Sequence, residues 1–198
     1  MDIKKLQPRL ENHFRESAAV KVKMVEECLE PIMAAVKLLV DTFKGGRKIL
    51  LCGNGGSAAD CQHMAAEFLS RLTKDFERPG LPAIALTTDT SFLTAYTNDY
   101  DFKSVFARQV ETLGKPGDVL IAISTSGASP NIISAVEKAS QGGLSTISLS
   151  GRGGTLNKIA NVSISVPATS TQYIQEAHLS VEHIICELVE HCLFAENY

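Results

Sequence analysis

Apolar residues follow two rhythms along this chain, a helical one before residue 44 and a series of short unbroken runs after it. Val25, Leu29, Ile32, Val36, Leu39 and Phe43 recur at spacings of four and three, which predicts one apolar stripe down a helix. Leu6, Leu10 and Phe14 continue the helical reading upstream, and residues 1–44 carry no strand pattern. Such a stripe suits a helix packed on its own domain or one packed on a neighbouring subunit.

After Gly45-Gly46 the pattern changes to runs that predict strands at Lys48–Cys52, Pro82–Leu86, Asp118–Ile123, Thr146–Leu149 and Val162–Val166. Segments of helical character, Ala58–Arg71, Phe102–Leu113 and Asn131–Gln141, lie between them, and a long helix over Thr171–Phe194 closes the chain. Continuous apolar strands alternating with helices predict an α/β fold, a doubly wound five-stranded parallel sheet covered on both faces. No repeat, low-complexity stretch or linker divides the chain, so a single domain over 1–198 is expected, with N-terminal helices in residues 1–44.

Composition narrows the class. The 198 residues are 44% hydrophobic and 21% charged, as in a globular protein, and no apolar run approaches the roughly 20 residues of a membrane helix. The N-terminus has no apolar core of the signal-peptide kind, and five cysteines without C-x-x-C spacing read as reduced thiols. A cytoplasmic location is expected. A net charge of −3 with no long basic run argues against nucleic acid as a partner.

Two of the predicted strands end in small polar loops, where open α/β sheets bind ligands. Gly53-Asn54-Gly55-Gly56-Ser57 opens a helix, and its glycines let backbone N–H groups approach an anion closely. Ser124-Thr125-Ser126-Gly127-Ala128-Ser129-Pro130 supplies hydroxyl donors, and Pro130 suits a helix's first turn. Neither loop has the Walker lysine or the G-x-G-x-x-G frame, which counts against a nucleotide. Together they predict a phosphate held by hydroxyls and amides. Either loop alone would also read as an ordinary turn with a capping serine.

His63 and Glu67 stand four apart on the helix after the first loop, on one face, as a metal site or an ion pair would require. The closing helix carries Gln175, Glu176, His178, Glu182 and His183. Gln175 and His183 lie about 12 Å apart along the axis, and His178 with Glu182 form a competing i,i+4 pair. His191, near the helix end, is expected to be exposed.

The stretches Cys52–Asp60, His63-x-x-x-Glu67, Asn98-Asp99, Ile123-Ser124-Thr125-Ser126-Gly127-x-Ser129 and Ile174-Gln175-Glu176-x-His178 with His183 strongly resemble the sugar isomerase (SIS) family, over nearly the whole chain. The resemblance implies a flavodoxin-like sheet of the nucleotide-fold type. It also implies an aldose–ketose isomerase that converts sedoheptulose 7-phosphate to D-glycero-D-manno-heptose 7-phosphate for lipopolysaccharide. It implies a substrate site of Asn54, Gly55, Gly56, Ser57, Glu67, Asn98, Asp99 and Gln175, with phosphate on Ser124, Thr125, Ser126 and Ser129. One Zn2+ per subunit would sit on His63, Glu67, Gln175 and His183, and Glu67 and His183 would be the acid–base pair. A homotetramer with sites at subunit contacts is implied, residues 1–44 serving oligomerisation. Ala128 stands where the family often has Asn, and Tyr173 where it is often basic.

A carboxylate bound tightly to zinc is a poorer base, so Glu67 either leaves the metal during turnover or the zinc is structural. The competing function is a non-catalytic SIS protein that uses the fold for protein contacts, such as a replication-initiator-associating factor. Relatives of that kind typically lack counterparts of Glu67 and His183, both present here.

Overall fold

A computed structural model describes residues 3–72, 74 and 77–195. Five strands form one all-parallel sheet: β1 (Ile49–Gly53), β2 (Ala83–Ala85), β3 (Val119–Ser124), β4 (Ser145–Gly151) and β5 (Val162–Val166). They lie in the order β2-β1-β3-β4-β5, with β1 pairing both β2 and β3. This is the flavodoxin-like order, and its ligand crevice opens beyond β1 and β3, where the strand order reverses. The two small-residue loops leave the sheet from those two strands.

β1 and β3 are buried along their full length, which explains their unbroken apolar runs. On one face Ile49, Leu51, Ile121 and Ile123 pack with α2 (Leu29–Lys44), α3 (Gly56–Leu69) and α8 (Thr171–Phe194). On the other, Leu50, Cys52, Leu120 and Ala122 pack with α5 (Val105–Leu113) and α6 (Pro130–Gln141). The doubly wound expectation holds.

The N-terminal stripe does not run unbroken. α1 (Gln7–Glu27) stops at Cys28, whose backbone (φ −119°, ψ −4°) redirects the chain into α2. Ile32, Val36, Leu39 and Phe43 are buried as the periodicity requires, but Val25 and Leu29 are 59% and 55% exposed. Leu10 and Phe14 are exposed as well, and α1 instead buries Ser17, Val20 and Met24. A polar contact fastens α1 to α8, His13 Nε2 meeting Glu176 Oε1 at 2.9 Å, and the Ser17 hydroxyl donates to the same carboxylate.

Two helices were not legible as such. α4 (Thr90–Asp99) buries none of its residues, so it has no apolar stripe to read. Its start is nonetheless chemical, since Asp89 accepts from the Phe92 N–H at 2.9 Å. The helical segment expected from Phe102 begins at Val105, and the single-turn α7 (Leu156–Ile159) was too short for periodicity. Among the described residues no helix is long and apolar enough to cross a membrane.

Candidate active site

The first loop is shaped by its glycines. Gly55 adopts φ +57°, a conformation side chains resist, and caps the start of α3. The helix therefore opens at Gly56, two residues before the expected Ala58, and Ser57 lies buried in its first turn. A Cβ on Gly56 would collide with the Gln175 amide, so glycine there lets α8 press its side chain against the loop.

The second loop gathers hydroxyls. Ser124 Oγ lies 3.0 Å from Ser129 Oγ and 3.4 Å from Ser126 Oγ, and Ser126 Oγ accepts from the Ala128 N–H at 3.2 Å. Ser129 precedes α6 yet makes no side-chain cap bond, because its hydroxyl turns into the loop toward Ser124. The capping-serine reading therefore fails at both loops. Ser124, Thr125 and Ser129 share a cavity of about 100 Å³ with Asn54, Ser57 and Ile123. A neighbouring cavity of about 270 Å³ is lined by Asn54, Phe102, Lys103, Ser129, Pro130 and Asn131.

Asn131 was missed by sequence reasoning. It exchanges two hydrogen bonds with Asn54, 2.9 Å and 2.8 Å, so the amides lock the two loops face to face. Nothing in the local pattern announces a partner 77 residues away.

The imidazoles of α3 and α8 meet. His63 Nε2 and His183 Nε2 are 2.8 Å apart, and Glu67 Oε1 stands 3.7 Å from His63 Nδ1. That last separation is an ion-pair contact, too long for a hydrogen bond. Gln175 Nε2 donates to Asp60 Oδ2 at 3.2 Å, a second residue not singled out beforehand. Burial pushes the Asp60 carboxyl above its ordinary range, against the lowering effect of the Gln175 bond. Asn98 and Asp99 end α4 on the surface, bonded to each other at 2.9 Å, and are not among the residues lining the serine-loop cavity.

His178 and Glu182 do not form the competing i,i+4 pair that their spacing allows. They are 0% and 1% exposed, and none of their side-chain nitrogens or oxygens has a hydrogen-bond partner. Burial lowers His178 to about 4 and raises Glu182 to about 8, the latter helped by the negative field of Asp60. His191 is exposed, as expected.

Among the described residues no group of three or more His, Cys, Asp or Glu side chains is gathered as a metal site. The donor set nevertheless suits zinc in kind. Two imidazole nitrogens already face each other, a carboxylate stands one turn away, and Asp60 holds the Gln175 amide nitrogen, leaving its carbonyl oxygen as the donor toward a cation.

Residues 12–151 match the SIS domain family. The phosphoheptose isomerase of Roseiflexus sp. (strain RS-1) is 53% identical over 186 residues, 93% of each chain. That of Aquifex aeolicus is 52% identical over 178 residues, 89% of this chain and 92% of its own. This chain belongs to the SIS-domain family, among the phosphoheptose isomerases. The solved phosphoheptose isomerase of Neisseria gonorrhoeae superposes with a TM-score of 0.87 at 43% identity, covering 93% of this chain and 98% of that one. The enzyme of that name from Francisella tularensis gives 0.89 at 36% identity, with the same coverage. Membership of this isomerase family sets aside the non-catalytic reading and gives the loops, imidazoles and carboxylate an enzyme's context.

Proposed function

We propose that this chain isomerises sedoheptulose 7-phosphate to D-glycero-D-manno-heptose 7-phosphate through an enediol, in heptose supply for lipopolysaccharide. The observation that carries the reading is the meeting of His63 and His183 beside Glu67, at the crevice of a sheet whose two loops offer a phosphate site.

The phosphate would be held by Ser124, Thr125, Ser126 and Ser129, with backbone amides of the first loop. Asn54, Gly55, Gly56, Ser57, Gln175 and, from the surface end of α4, Asn98 and Asp99 would contact the sugar. Glu67 would take the proton from C1 of the ketose while His183 gives one to the carbonyl oxygen on C2, forming the enediol. Loss of the C1 hydroxyl proton and delivery of a proton to C2 completes the aldose. His63, Glu67, Gln175 and His183 would hold one zinc per subunit, which when bound polarises the substrate oxygen.

A homotetramer with sites at subunit contacts fits the apolar side chains that α1 and α2 leave exposed, among them Leu10, Phe14, Val25, Leu29 and Met33. A cytoplasmic location fits the buried, unpaired Cys28, Cys52, Cys61 and Cys186. Incubating the purified protein with a panel of ketose phosphates and following products by NMR tests the function. Conversion of sedoheptulose 7-phosphate ahead of the others is expected; no conversion of any member would refute it.

A further inference from the structure

Downstream of α3 the chain returns through Arg78, whose guanidinium is fully buried. All five of its N–H donors are used. Nε and Nη2 donate to Glu190 Oε1 at 2.9 Å and 2.5 Å. Nη2 also donates to the Glu67 carbonyl at 2.7 Å, and Nη1 to the carbonyls of Phe68 and Pro79 at 2.8 Å and 3.0 Å. Glu190, 3% exposed, accepts in addition from the Leu72 N–H at 3.0 Å.

Glu67 and Phe68 belong to the last turn of α3, whose carbonyls have no partner within the helix. A cation there favours the negative end of the helix dipole. Glu190 stands two turns beyond His183 on α8, about 10 Å along the axis. One planar fork therefore joins the backbone of residue 67 to the helix that carries His183 and Gln175. A buried ion pair of this kind is weak evidence of stabilisation by itself, since desolvation offsets its attraction. Its geometry fixes something else, the position of one helix end against another.

We infer that Arg78 and Glu190 are positioning residues that set Glu67 in register with His183 for proton transfer. The inference rests on the reading of Glu67 as the base. Arg78→Lys keeps the charge but cannot reproduce the fork, and Glu190→Gln keeps the shape but removes the anion. A base displaced by an ångström loses on the order of 100-fold in rate.

The experiment measures kcat and KM for sedoheptulose 7-phosphate per folded protein, for Arg78→Lys, Glu190→Gln, Glu67→Gln and the Glu67→Gln/Arg78→Lys double variant. Arg78→Lys and Glu190→Gln should each lower kcat by about 10–100-fold with KM within about threefold. In the Glu67→Gln background Arg78→Lys should add less than about threefold, because the group it positions is already disabled. A merely structural clamp would lose folded protein without that coupling. Parental kcat per folded protein in Arg78→Lys, or in Glu190→Gln where the lysine variant does not fold, overturns the inference. So does a loss that multiplies in full on the Glu67→Gln background. Full activity in Glu67→Gln alone instead overturns the reading of the base, and the inference falls with it.

Discussion

Asn54 and Asn131 face each other across the crevice and exchange both amide hydrogen bonds, at 2.9 Å and 2.8 Å. One residue belongs to the glycine loop after β1 and the other to the first turn of α6, beyond the serine loop. The pair therefore sets the width of the gap in which a phosphosugar would lie. Asn131→Ala leaves Asn54 without its partner in a partly buried place. It should cost about 1–3 kcal/mol of stability and raise KM more than it lowers kcat. Thermal unfolding and steady-state kinetics check this, and an unchanged KM would contradict it.

The hydroxyl cluster makes a graded forecast. Ser124, at the centre of the contacts with Ser126 and Ser129, is the most constrained of the three. Ser124→Ala, Ser126→Ala and Ser129→Ala should each weaken substrate binding by about 0.5–3 kcal/mol, with kcat changing less. Ser124→Ala should be the most costly, since it also strips Ser129 of its partner. Parental KM in all three would place the phosphate elsewhere.

Glu182 gives a pH dependence with a definite sign. Burial, aided by Asp60, raises its carboxyl from 4.5 to about 8, so the folded chain keeps it protonated while the unfolded chain ionises it. Its contribution to stability is fully present below about 4.5 and is lost as pH rises through about 8. The swing is on the order of 5 kcal/mol. Chelator-treated protein should therefore lose stability to urea between about pH 5 and 8, and Glu182→Gln should flatten that slope. An equal slope in the variant would contradict the buried-acid account.

Zinc makes its own forecast. Protein dialysed with the metal should carry about one zinc per subunit by elemental analysis, and should unfold at a higher temperature than the chelated form. His63→Ala should lose both the metal and the thermal shift. Zinc retained at full stoichiometry in His63→Ala would remove that residue from the site.

The parts legible in the sequence were those written by local patterns. β1 and β3 read as strands because both their faces are buried, and α8 was bounded at Thr171 and Phe194 by an uninterrupted helical pattern. α4 was invisible because it buries nothing, and the α1–α2 break at Cys28 was overlooked although Pro31, in the first turn of α2, has no N–H to offer the Glu27 carbonyl and so cannot continue α1. The loops announced themselves through glycine and serine. Their supports did not: Asn131, Asp60 and Arg78 act through side chains meeting across 77, 115 and 112 residues, where no spacing rule reaches. His178 and Glu182 carried the right spacing for a pair, and burial without hydrogen bonds is what separates them from it.

The central claim is that Glu67 moves the proton. Glu67→Gln preserves shape and loses basicity, so turnover of sedoheptulose 7-phosphate per folded protein should fall by roughly 10²–10⁴-fold. His183→Gln should act similarly, and the double variant should be little worse than the poorer single one, because both residues serve one proton transfer. Turnover per folded protein in Glu67→Gln, followed by NMR with the folded fraction measured alongside, is the most direct test. A fall within that range is predicted; a value equal to the parent's would contradict the account.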